Sequence, residues 1–426
     1  MRVEEGAFSH VLLPTLLRRS GLEPRDRAFA TDLVYGTLRE QRALDHLLTP
    51  VVSRPLASLD PPVRAALRIG AHQLLGGTPA HAAVGETVEV APERARGLVN
   101  AALRRLSREG PPWPLPDGDA VADVAVRLSY PDWLVERLAA DLGPDDALAT
   151  LESANVPAPV TLRPNRARIH SSALADELHD GGATVEPGAL GIGAVVVRGI
   201  GDPARVPAVA DGRASPQDEA SQAVVRDVLA PQPGDRVLDT AAAPGGKATA
   251  IAELVGEDGT VVALDVNRGR LGFVVGAAAR LGLANLHAVQ ADGRCLPAKP
   301  GAFNRVLVDA PCSGLGVLRR RPELRWRVEP DAIGALAELQ RELLTAAATA
   351  VAPGGTLVYS VCTLTTEETR GVDEWARTGL GEFDAAVPPP PPWRPWGRGA
   401  LLLPHDAATD GMFVLRLIRR NPAAHQ

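Results

Sequence analysis

Aromatic residues are scarce in this sequence, since Phe, Trp and Tyr together make up 4% of its 426 residues. A surface that stacks nucleic-acid bases on several exposed rings does not fit this composition. Cysteine is also rare, and an odd total of three argues against a disulfide framework and for a reducing compartment. A basic excess is missing as well, because the net charge is −6, so any surface that binds nucleic acid must be a local patch.

Long apolar runs are absent too, and none approaches the ~18–20 residues that span a membrane. The opening stretch, MRVEEGAFSH, lacks the basic and then apolar pattern of a secretion signal. Hydrophobic residues at 45% and charged residues at 23% are typical of globular proteins, and the length suffices for two or three domains. We therefore expect a cytoplasmic protein with no membrane partner.

The first part of the chain is predicted to be helical. Apolar residues recur at helical spacing over residues 27–48, 63–75, 81–90 and 93–107. The end of the last segment is basic, with Arg104, Arg105 and the adjoining Arg108, which form either a solvated helix face or a surface that contacts phosphates. A cluster of proline and glycine at 110–118 marks a boundary, so we predict a first domain over residues 1–112.

Residues 113–214 are predicted to hold linker helices and a small α/β module. The pattern indicates a helix at 131–142, strands at 160–162 and 194–197, and a helix at 172–179 between those strands. The module lacks the interleaved aromatic residues with which common RNA-binding sheets stack bases. By itself it therefore indicates no function.

Strands alternate with helices over the third predicted domain, residues 215–421. The predicted strands are 236–239, 260–265, 287–292, 305–309, 356–360 and 412–418, with helices at 268–281 and 330–352. Their apolar runs do not alternate with polar residues, which is typical of strands buried on both faces of a parallel sheet. A polyproline run at 388–392 is expected to be a stiff surface loop.

The first of these strands runs into a loop of small residues, AAAPGGK at 241–247. In an open α/β sheet, a ligand lies at such a strand–turn–helix junction, against backbone N–H groups at the start of the helix. The spacing is neither GxGxxG nor GxxxxGK[ST], so neither a dinucleotide site nor a P-loop is indicated. Taken alone, the loop is equally well interpreted as a plain strand-to-helix turn.

Acidic residues end the strands at the same edge of the predicted sheet: Asp239, Asp265, Asp292 and Asp309. Each alone is better interpreted as a turn or cap residue. With the glycine loop they predict an adenosyl pocket, in which Asp265 binds the ribose hydroxyls and Asp292 lies near the adenine amino group. Lys247 is placed to contact a carboxylate, and an adenosyl ligand with a carboxylate is S-adenosylmethionine.

Two cysteines follow the fourth and fifth strands, Cys312 in DAPCSG and Cys362 in SVCT. A thiolate that adds to carbon 6 of cytosine makes carbon 5 nucleophilic, so that carbon 5 can accept a methyl group. Asp309 is expected to hydrogen-bond the ring as charge develops, and the second thiol to aid release of the adduct. A lone cysteine is more often a small buried hydrophobe, and we predict that state for Cys295.

An arginine-rich segment, RRRPELRWR at 319–327, directly follows the first cysteine loop. Charge runs are usually solvated surface. The position of this one, in an acidic chain and beside the predicted site, favours a segment that grips a phosphate backbone.

These motifs resemble the RNA cytosine-5 methyltransferases, and specifically their bacterial RsmB type, which modifies small-subunit ribosomal RNA. The likeness covers nearly the whole chain. In the second half it rests on QDEAS at 217–221, LDTAAAPGGK at 238–247, ADG at 291–293, DAPCSG at 309–314, YSVCT at 359–363 and DGMF at 410–413. In the first half, residues 25–39, 67–75, 79–88 and 97–105 resemble a NusB-like helical domain. Compared with that domain the chain starts late, so we expect either that a first helix is missing or that the true start lies upstream.

The resemblance implies a fold and a set of site residues. The fold is an all-α NusB-like domain, a small α/β module and a Rossmann-like methyltransferase domain that uses S-adenosylmethionine. Cys362 would be the nucleophile, with Cys312 and Asp309 as further catalytic residues. The residues implied for the methyl donor are Ala241, Ala242, Ala243, Pro244, Gly245, Gly246, Lys247, Asp265, Arg270, Asp292 and Asp309.

The resemblance also implies a monomer without a metal that acts on 16S ribosomal RNA. Two other functions remain open from sequence. The first alternative keeps fold and cofactor but methylates cytosine in transfer RNA. The second is a non-catalytic factor that binds RNA or acts in antitermination through its NusB-like helices. Retention of both cysteines and of the acidic residues at the strand ends speaks against the second.

Overall fold

The computed structural model describes residues 2–3 and 5–421. The chain divides into two compact units. The first unit runs to Val156 and also includes Leu318–Val328, a segment that lies far along the chain. The second unit comprises Pro157–Val317 and the chain from Glu329 onward.

The first unit is helical, as predicted. Its helices are α1 (Ser9–Arg19), α2 (Pro24–Arg39), α3 (Gln41–Leu48), α4 (Pro61–Leu75), α5 (Ala80–Val90), α6 (Arg96–Glu109), α7 (Val121–Arg127), α8 (Asp132–Leu142) and α9 (Pro144–Asn155). The helical pattern at 27–48 belongs to two helices, which meet at Glu40. In the described part of the chain, no helix has the length and apolar character needed to cross a membrane.

Helices α3, α4 and α6 build the core of this unit through the fully buried Leu44, Leu67 and Leu103. Gly70 lets α4 and α6 approach closely, because a Cβ there would lie 2.3 Å from the Leu103 side chain. Arg104, Arg105 and Arg108 point away from this core and are exposed. The spacing of apolar residues in the sequence thus determined which face of α6 is buried.

The arginine-rich segment lies in the core of the helical unit, so our prediction that it grips phosphate is wrong for Arg319 and Arg325, which are buried. The Arg325 guanidinium donates to the carbonyl oxygens of Arg39 (3.0 Å) and Ser129 (3.1 Å) and stacks over the Tyr130 ring at 4.0 Å. Burial lowers the pKa of Arg325 to about 10. A planar cation with several donors suits a pocket lined with carbonyl oxygens and an aromatic face.

The second unit begins with a small α/β module. It contains β1 (Val160–Pro164), α10 (Ser171–Asp180), β2 (Thr184–Pro187), β3 (Val195–Arg198), α11 (Pro207–Ala210) and β4 (Ala214–Pro216). The strands form an antiparallel sheet in the order β2-β3-β1-β4. We predicted β1 and β3 but not β2 and β4, which are short and lie at the sheet edges.

A large α/β domain follows. Its elements are α12 (Glu219–Ala223), β5 (Arg236–Asp239), α13 (Gly246–Val255), β6 (Thr260–Asp265), α14 (Arg268–Leu281), β7 (Leu286–Gln290), β8 (Phe303–Asp309), α15 (Pro330–Ala350), β9 (Val351–Val361), α16 (Arg370–Gly379), β10 (Phe383–Ala385), β11 (Arg394–Trp396), β12 (Gly399–Leu402), α17 (Pro404–Ala407) and β13 (Met412–Arg419). A π-helical turn, Val224–Leu229, extends α12.

The strands form one sheet in the order β11-β12-β13-β9-β8-β5-β6-β7, with β10 added beside β13. Strands β5 to β9 pair in parallel, and β13 runs antiparallel to β9. The chain order reverses between β5 and β8, and such a switch point opens a crevice at the carboxyl ends of the strands. The predicted fold class, helical region followed by small module and doubly wound sheet, is confirmed.

Replacing Arg325 with alanine should destabilise the helical unit by about 3 kcal/mol, because carbonyl oxygens lose their donor and a cavity replaces the guanidinium. Hydrogen exchange of the α2 amides in the full-length protein measures the loss. The matched control, Arg105→Ala on the exposed face of α6, should change it by no more than about 0.5 kcal/mol. Equal effects of the two substitutions would contradict this assignment.

Candidate active site

The loop between β5 and α13 is fixed by backbone contacts. The Ala242 amide donates to the Leu264 carbonyl of β6 (2.7 Å), and the Gly245 amide donates to the Ala242 carbonyl (2.8 Å). Gly245 has φ +108°, and a Cβ there would lie 3.1 Å from the Val274 Cα of α14. Glycine is therefore required at this position, which brings the loop close to the neighbouring helix.

Asp265 and Arg270 lie beside this loop. Asp265 is buried at the end of β6 and accepts the Asn267 amide at 2.8 Å. Arg270 donates to the Ala243 carbonyl at 2.6 Å and lies 3.5 Å from the Asp265 carboxylate. Both predicted donor-site residues therefore border the AAAPGGK loop.

Asp292 lies two residues beyond the end of β7 rather than within the strand. Its carboxylate accepts hydrogen bonds from the backbone and guanidinium of Arg294, and these bonds lower the pKa of Asp292. In this structure the carboxylate thus already has a cationic partner.

Asp239 is a residue of the site that our set of binding residues omitted. It is fully buried at the end of β5, and its Oδ2 atom has no hydrogen-bond partner among the described residues. Burial, together with the charge of Asp309, raises the pKa of Asp239 to about 7. A buried polar atom that lacks a partner, next to a narrow glycine loop, fits a polar ligand such as S-adenosylmethionine.

The two cysteine loops meet because β8 and β9 pair in parallel with Asp309 opposite Ser360. Both loops leave the same edge of the sheet, and the Sγ atoms of Cys312 and Cys362 lie 3.3 Å apart. Both residues are half-buried. The pairing of these two strands thus brings the two thiols together.

Backbone contacts hold the loops in register beyond the cysteines. The Gly316 amide donates to the Cys362 carbonyl at 2.9 Å, and the Gly411 amide donates to the Gly316 carbonyl at 2.8 Å. A Cβ on Gly316 would lie 2.3 Å from the Gly411 oxygen. Any larger residue at position 316 would push the first cysteine loop away from Cys362.

Lys247 connects the AAAPGGK loop with the cysteine loops. Its ammonium donates to Asp309 Oδ1 at 2.8 Å, and Ser360 donates to the same oxygen at 2.9 Å. The sequence predicts that Lys247 contacts a carboxylate, and in this structure that carboxylate belongs to Asp309. Burial opposes the positive charge, but Asp309, Cys362 and Asp239 outweigh burial and raise the pKa of Lys247.

The two thiols have different electrostatic surroundings. The hydrogen bond to Cys362, burial and the negative charges of Cys362 and Glu368 raise the pKa of Cys312 well above its ordinary value. Lys247 instead interacts with the charge of Cys362. A thiolate is stabilised by a nearby cation, so this arrangement favours Cys362 as the ionised member of the pair.

The third cysteine lies elsewhere, and our prediction for it is wrong. Cys295 is exposed, because it follows β7 in a turn where its amide donates to the Asp292 carbonyl, outside the packed sheet.

From the sequence we also missed a residue that supports the AAAPGGK loop. Arg163 of β1 donates to the Gly246 carbonyl at the start of α13 (2.8 Å) and pairs with Glu253 (2.8 Å). No local motif marks such a long-range contact.

A Rossmann-like sheet with a narrow glycine loop, a buried acid at the end of the second parallel strand and a pair of neighbouring thiols at the same sheet edge fits an S-adenosylmethionine-dependent methyltransferase. Sequence comparison gives the family. The profile of the "16S rRNA methyltransferase RsmB/F" family matches residues 226–418, that of the NusB family residues 2–108, and that of the RsmF/B-like ferredoxin-like domain residues 130–202. The chain belongs to the RsmB/F methyltransferase family.

Relatives in other bacteria match along nearly their whole length. The chain is 39% identical to ribosomal RNA small subunit methyltransferase B of Thermus thermophilus, with 100% of this chain and 96% of the relative covered. It is 36% identical to a probable ribosomal RNA small subunit methyltransferase B of Bacillus subtilis, with 97% and 95% covered. Both the helical and the catalytic region are therefore shared with these proteins.

Solved structures show the same architecture. The crystal structure of PH0851 superimposes with a TM-score of 0.81 at 28% identity, covering 94% of this chain and 92% of that one. A methyltransferase homologue from Pyrococcus horikoshii superimposes with a TM-score of 0.60 at 26% identity and covers 71% of this chain and 99% of its own.

The raised pKa of Asp239 predicts a pH dependence of stability. The folded state holds this proton up to about pH 7, whereas the ordinary pKa is 3.8, so folding stability falls as pH rises between these values. Asn cannot ionise, so Asp239→Asn should gain stability relative to wild type across that window, by a few kcal/mol at about 1.4 kcal/mol per unit.

Urea unfolding of the ligand-free protein at pH 4.5, 6 and 7.5 measures this difference, with exposed Asp258→Asn as the matched control. The quantity of interest is the difference in unfolding free energy between Asp239→Asn and wild type, followed as a function of pH. A packing effect of the substitution that does not depend on pH leaves this pH dependence unchanged. A stability difference between Asp239→Asn and wild type that stays constant with pH would contradict the raised pKa.

Proposed function

We propose that this protein methylates carbon 5 of a cytidine in 16S ribosomal RNA and that Cys362 forms a transient covalent bond to carbon 6 of the base. The observation that carries the proposal is the pair of thiols 3.3 Å apart beside the Lys247–Asp309 ion pair. The names of the relatives from Thermus thermophilus and Bacillus subtilis support small-subunit ribosomal RNA as the substrate.

S-adenosylmethionine supplies the electrophilic methyl group. The AAAPGGK loop, Asp265 and Arg270 would hold it at the carboxyl ends of β5 and β6. Asp292 is proposed as a further contact for the donor. These residues orient the donor and exclude water, while the thiols and Asp309 act on the base.

Cys362 acts as the nucleophile in this proposal. Its thiolate adds to carbon 6, and the electron pair of the ring double bond moves so that carbon 5 becomes the methyl acceptor. The Lys247 ammonium stabilises the thiolate before attack, since the two groups interact electrostatically. Asp309 hydrogen-bonds the pyrimidine and, through its contacts with Lys247 and Ser360, keeps a fixed orientation.

Cys312 assists the release of the product. After methyl transfer, carbon 5 loses its proton to solvent, the double bond forms again and the electrons of the carbon–sulfur bond return to Cys362. The Cys312 S–H group, 3.3 Å away, can donate a hydrogen bond to the departing thiolate. A raised pKa keeps this proton on Cys312.

The two cysteines should give different defects when substituted. Cys362→Ser should lower single-turnover methyl transfer to 16S ribosomal RNA by at least about 10³-fold, because no carbon–sulfur bond can form. Cys312→Ala should instead accumulate a protein–RNA adduct that survives denaturing electrophoresis, because the departing Cys362 thiolate loses its hydrogen-bond donor. Exposed Cys295→Ser is the control and should match wild type. Methyl transfer at the wild-type rate by Cys362→Ser would exclude the covalent mechanism.

The substrate is tested in cells. Bisulfite sequencing of total RNA from strains with and without the gene should show a lost 5-methylcytosine in 16S ribosomal RNA. Loss confined to transfer RNA would move the substrate and leave the catalytic proposal intact. No lost site, together with no detectable binding of S-adenosylmethionine by calorimetry, would favour a non-catalytic RNA-binding role.

A further inference from the structure

A buried carboxylate lies behind the two cysteine loops. Glu368 comes shortly after Cys362, just before α16, and is fully buried. A buried carboxylate is costly unless hydrogen bonds compensate for lost water. Here its oxygens accept the Ser313 amide (2.9 Å), the Ser313 hydroxyl (2.5 Å), the Thr363 hydroxyl (3.0 Å), the Thr365 hydroxyl (2.9 Å) and the Gln340 side-chain amide (3.0 Å).

These contacts join the two loops through the residues next to the thiols. Ser313 follows Cys312 in the chain, and Thr363 follows Cys362. Their hydroxyl oxygens lie 2.6 Å apart, and both contact the same carboxylate. The separation of the thiols is therefore coupled to Glu368, which fixes the atoms next to each of them.

Helix α15 reinforces the arrangement from a third side. The Gln340 amide that donates to Glu368 also donates to the Pro311 carbonyl at 2.9 Å, one residue before Cys312. The buried Tyr359 hydroxyl lies 2.7 Å from the Glu368 carbonyl oxygen and 2.8 Å from Gln340 Oε1. The carboxylate is thus held at a defined place and not merely near the loops.

The charges around the thiols are asymmetric. Glu368 accepts the Ser313 amide, which belongs to the peptide bond that follows Cys312, and its negative charge acts on the Cys312 thiol, as does that of Cys362. Lys247 donates to Asp309, and its ammonium interacts with the charges of Cys362 and Asp239. Tyr359 and Arg341 are further titratable groups near this cluster. The negative charge that acts on Cys312 and the positive charge that acts on Cys362 together favour a protonated Cys312 and an ionised Cys362.

We infer that Glu368 is a positioning residue that determines which thiol is ionised: it keeps the proton on Cys312 and leaves the negative charge on Cys362. This inference rests on the proposed function for its use in the reaction. The proton on Cys312 can then be donated as a hydrogen bond when Cys362 departs from carbon 6. Loss of the Glu368 charge removes the electrostatic penalty on a Cys312 thiolate, so the two thiols become more nearly equivalent.

Alkylation by iodoacetamide tests the inference without RNA or donor. Initial rates at each cysteine, read from peptide mass spectra under reducing conditions from pH 6 to 10, report its thiolate fraction. In the wild-type protein, Cys362 should react at lower pH than Cys312. This measurement needs no variant, and a reversed order would overturn the inference.

Glu368→Gln keeps the size of the side chain and removes its charge. At pH 7.5 it should raise the Cys312 rate about tenfold, as for one unit of pKa, and leave the exposed Cys295 unchanged. Glu368→Asp keeps a charge and should retain the preference for Cys362, which a purely structural role would not predict. Exposed Glu374→Gln on α16 is the matched control.

An unchanged ratio of Cys312 to Cys362 labelling in folded Glu368→Gln would overturn the inference. With RNA and S-adenosylmethionine added, this variant should also accumulate the protein–RNA adduct, as we expect for Cys312→Ala. If the alkylation pattern changes as expected and no adduct forms with any variant, the role of Glu368 in thiol ionisation stands and the covalent mechanism is wrong.

Discussion

The parallel pairing of β8 with β9, in which Asp309 lies opposite Ser360, determines the geometry of the candidate site. Each strand ends there in a loop that carries one cysteine, so the register sets the distance between the thiols. A slip of one residue would turn each side chain of one strand to the opposite face of the sheet. The hydrogen bond from Ser360 to Asp309 and the contact of Gly316 with the Cys362 carbonyl both depend on this register.

The position of the AAAPGGK loop is also determined by strand pairing, on the other side of the switch point. Strand β5 lies between β8 and β6, so the loop after β5 borders both the thiols and Asp265. Lys247 is the side chain that spans this junction, because it extends from the first turn of α13 to Asp309. One lysine therefore couples the electrostatics of the AAAPGGK loop to those of the thiol pair.

The sequence was most informative where structure is local. A strand followed by small residues and a helix start predicts the AAAPGGK loop, and parallel topology then places the strand-end residues on one edge. It was least informative for contacts between distant segments. Glu368 meets Ser313 across 55 positions and Arg325 meets Arg39 across 286, and no pattern in either segment encodes its partner. The prediction that the arginine-rich segment grips phosphate was wrong for the same reason. Charge alone does not reveal that the guanidinium of Arg325 donates to carbonyl oxygens in the core.

The helical unit includes Leu318–Val328, and this affects how the protein is made. A ribosome synthesises the chain from its N-terminus onward, and domains generally fold as they emerge. The helices up to α9 leave the ribosome long before Arg325, so the polar groups that its guanidinium contacts stay without that partner until β8 has also been synthesised. The helical unit therefore completes its core late, and a fragment that ends at Val156 would lack a part of its own interior.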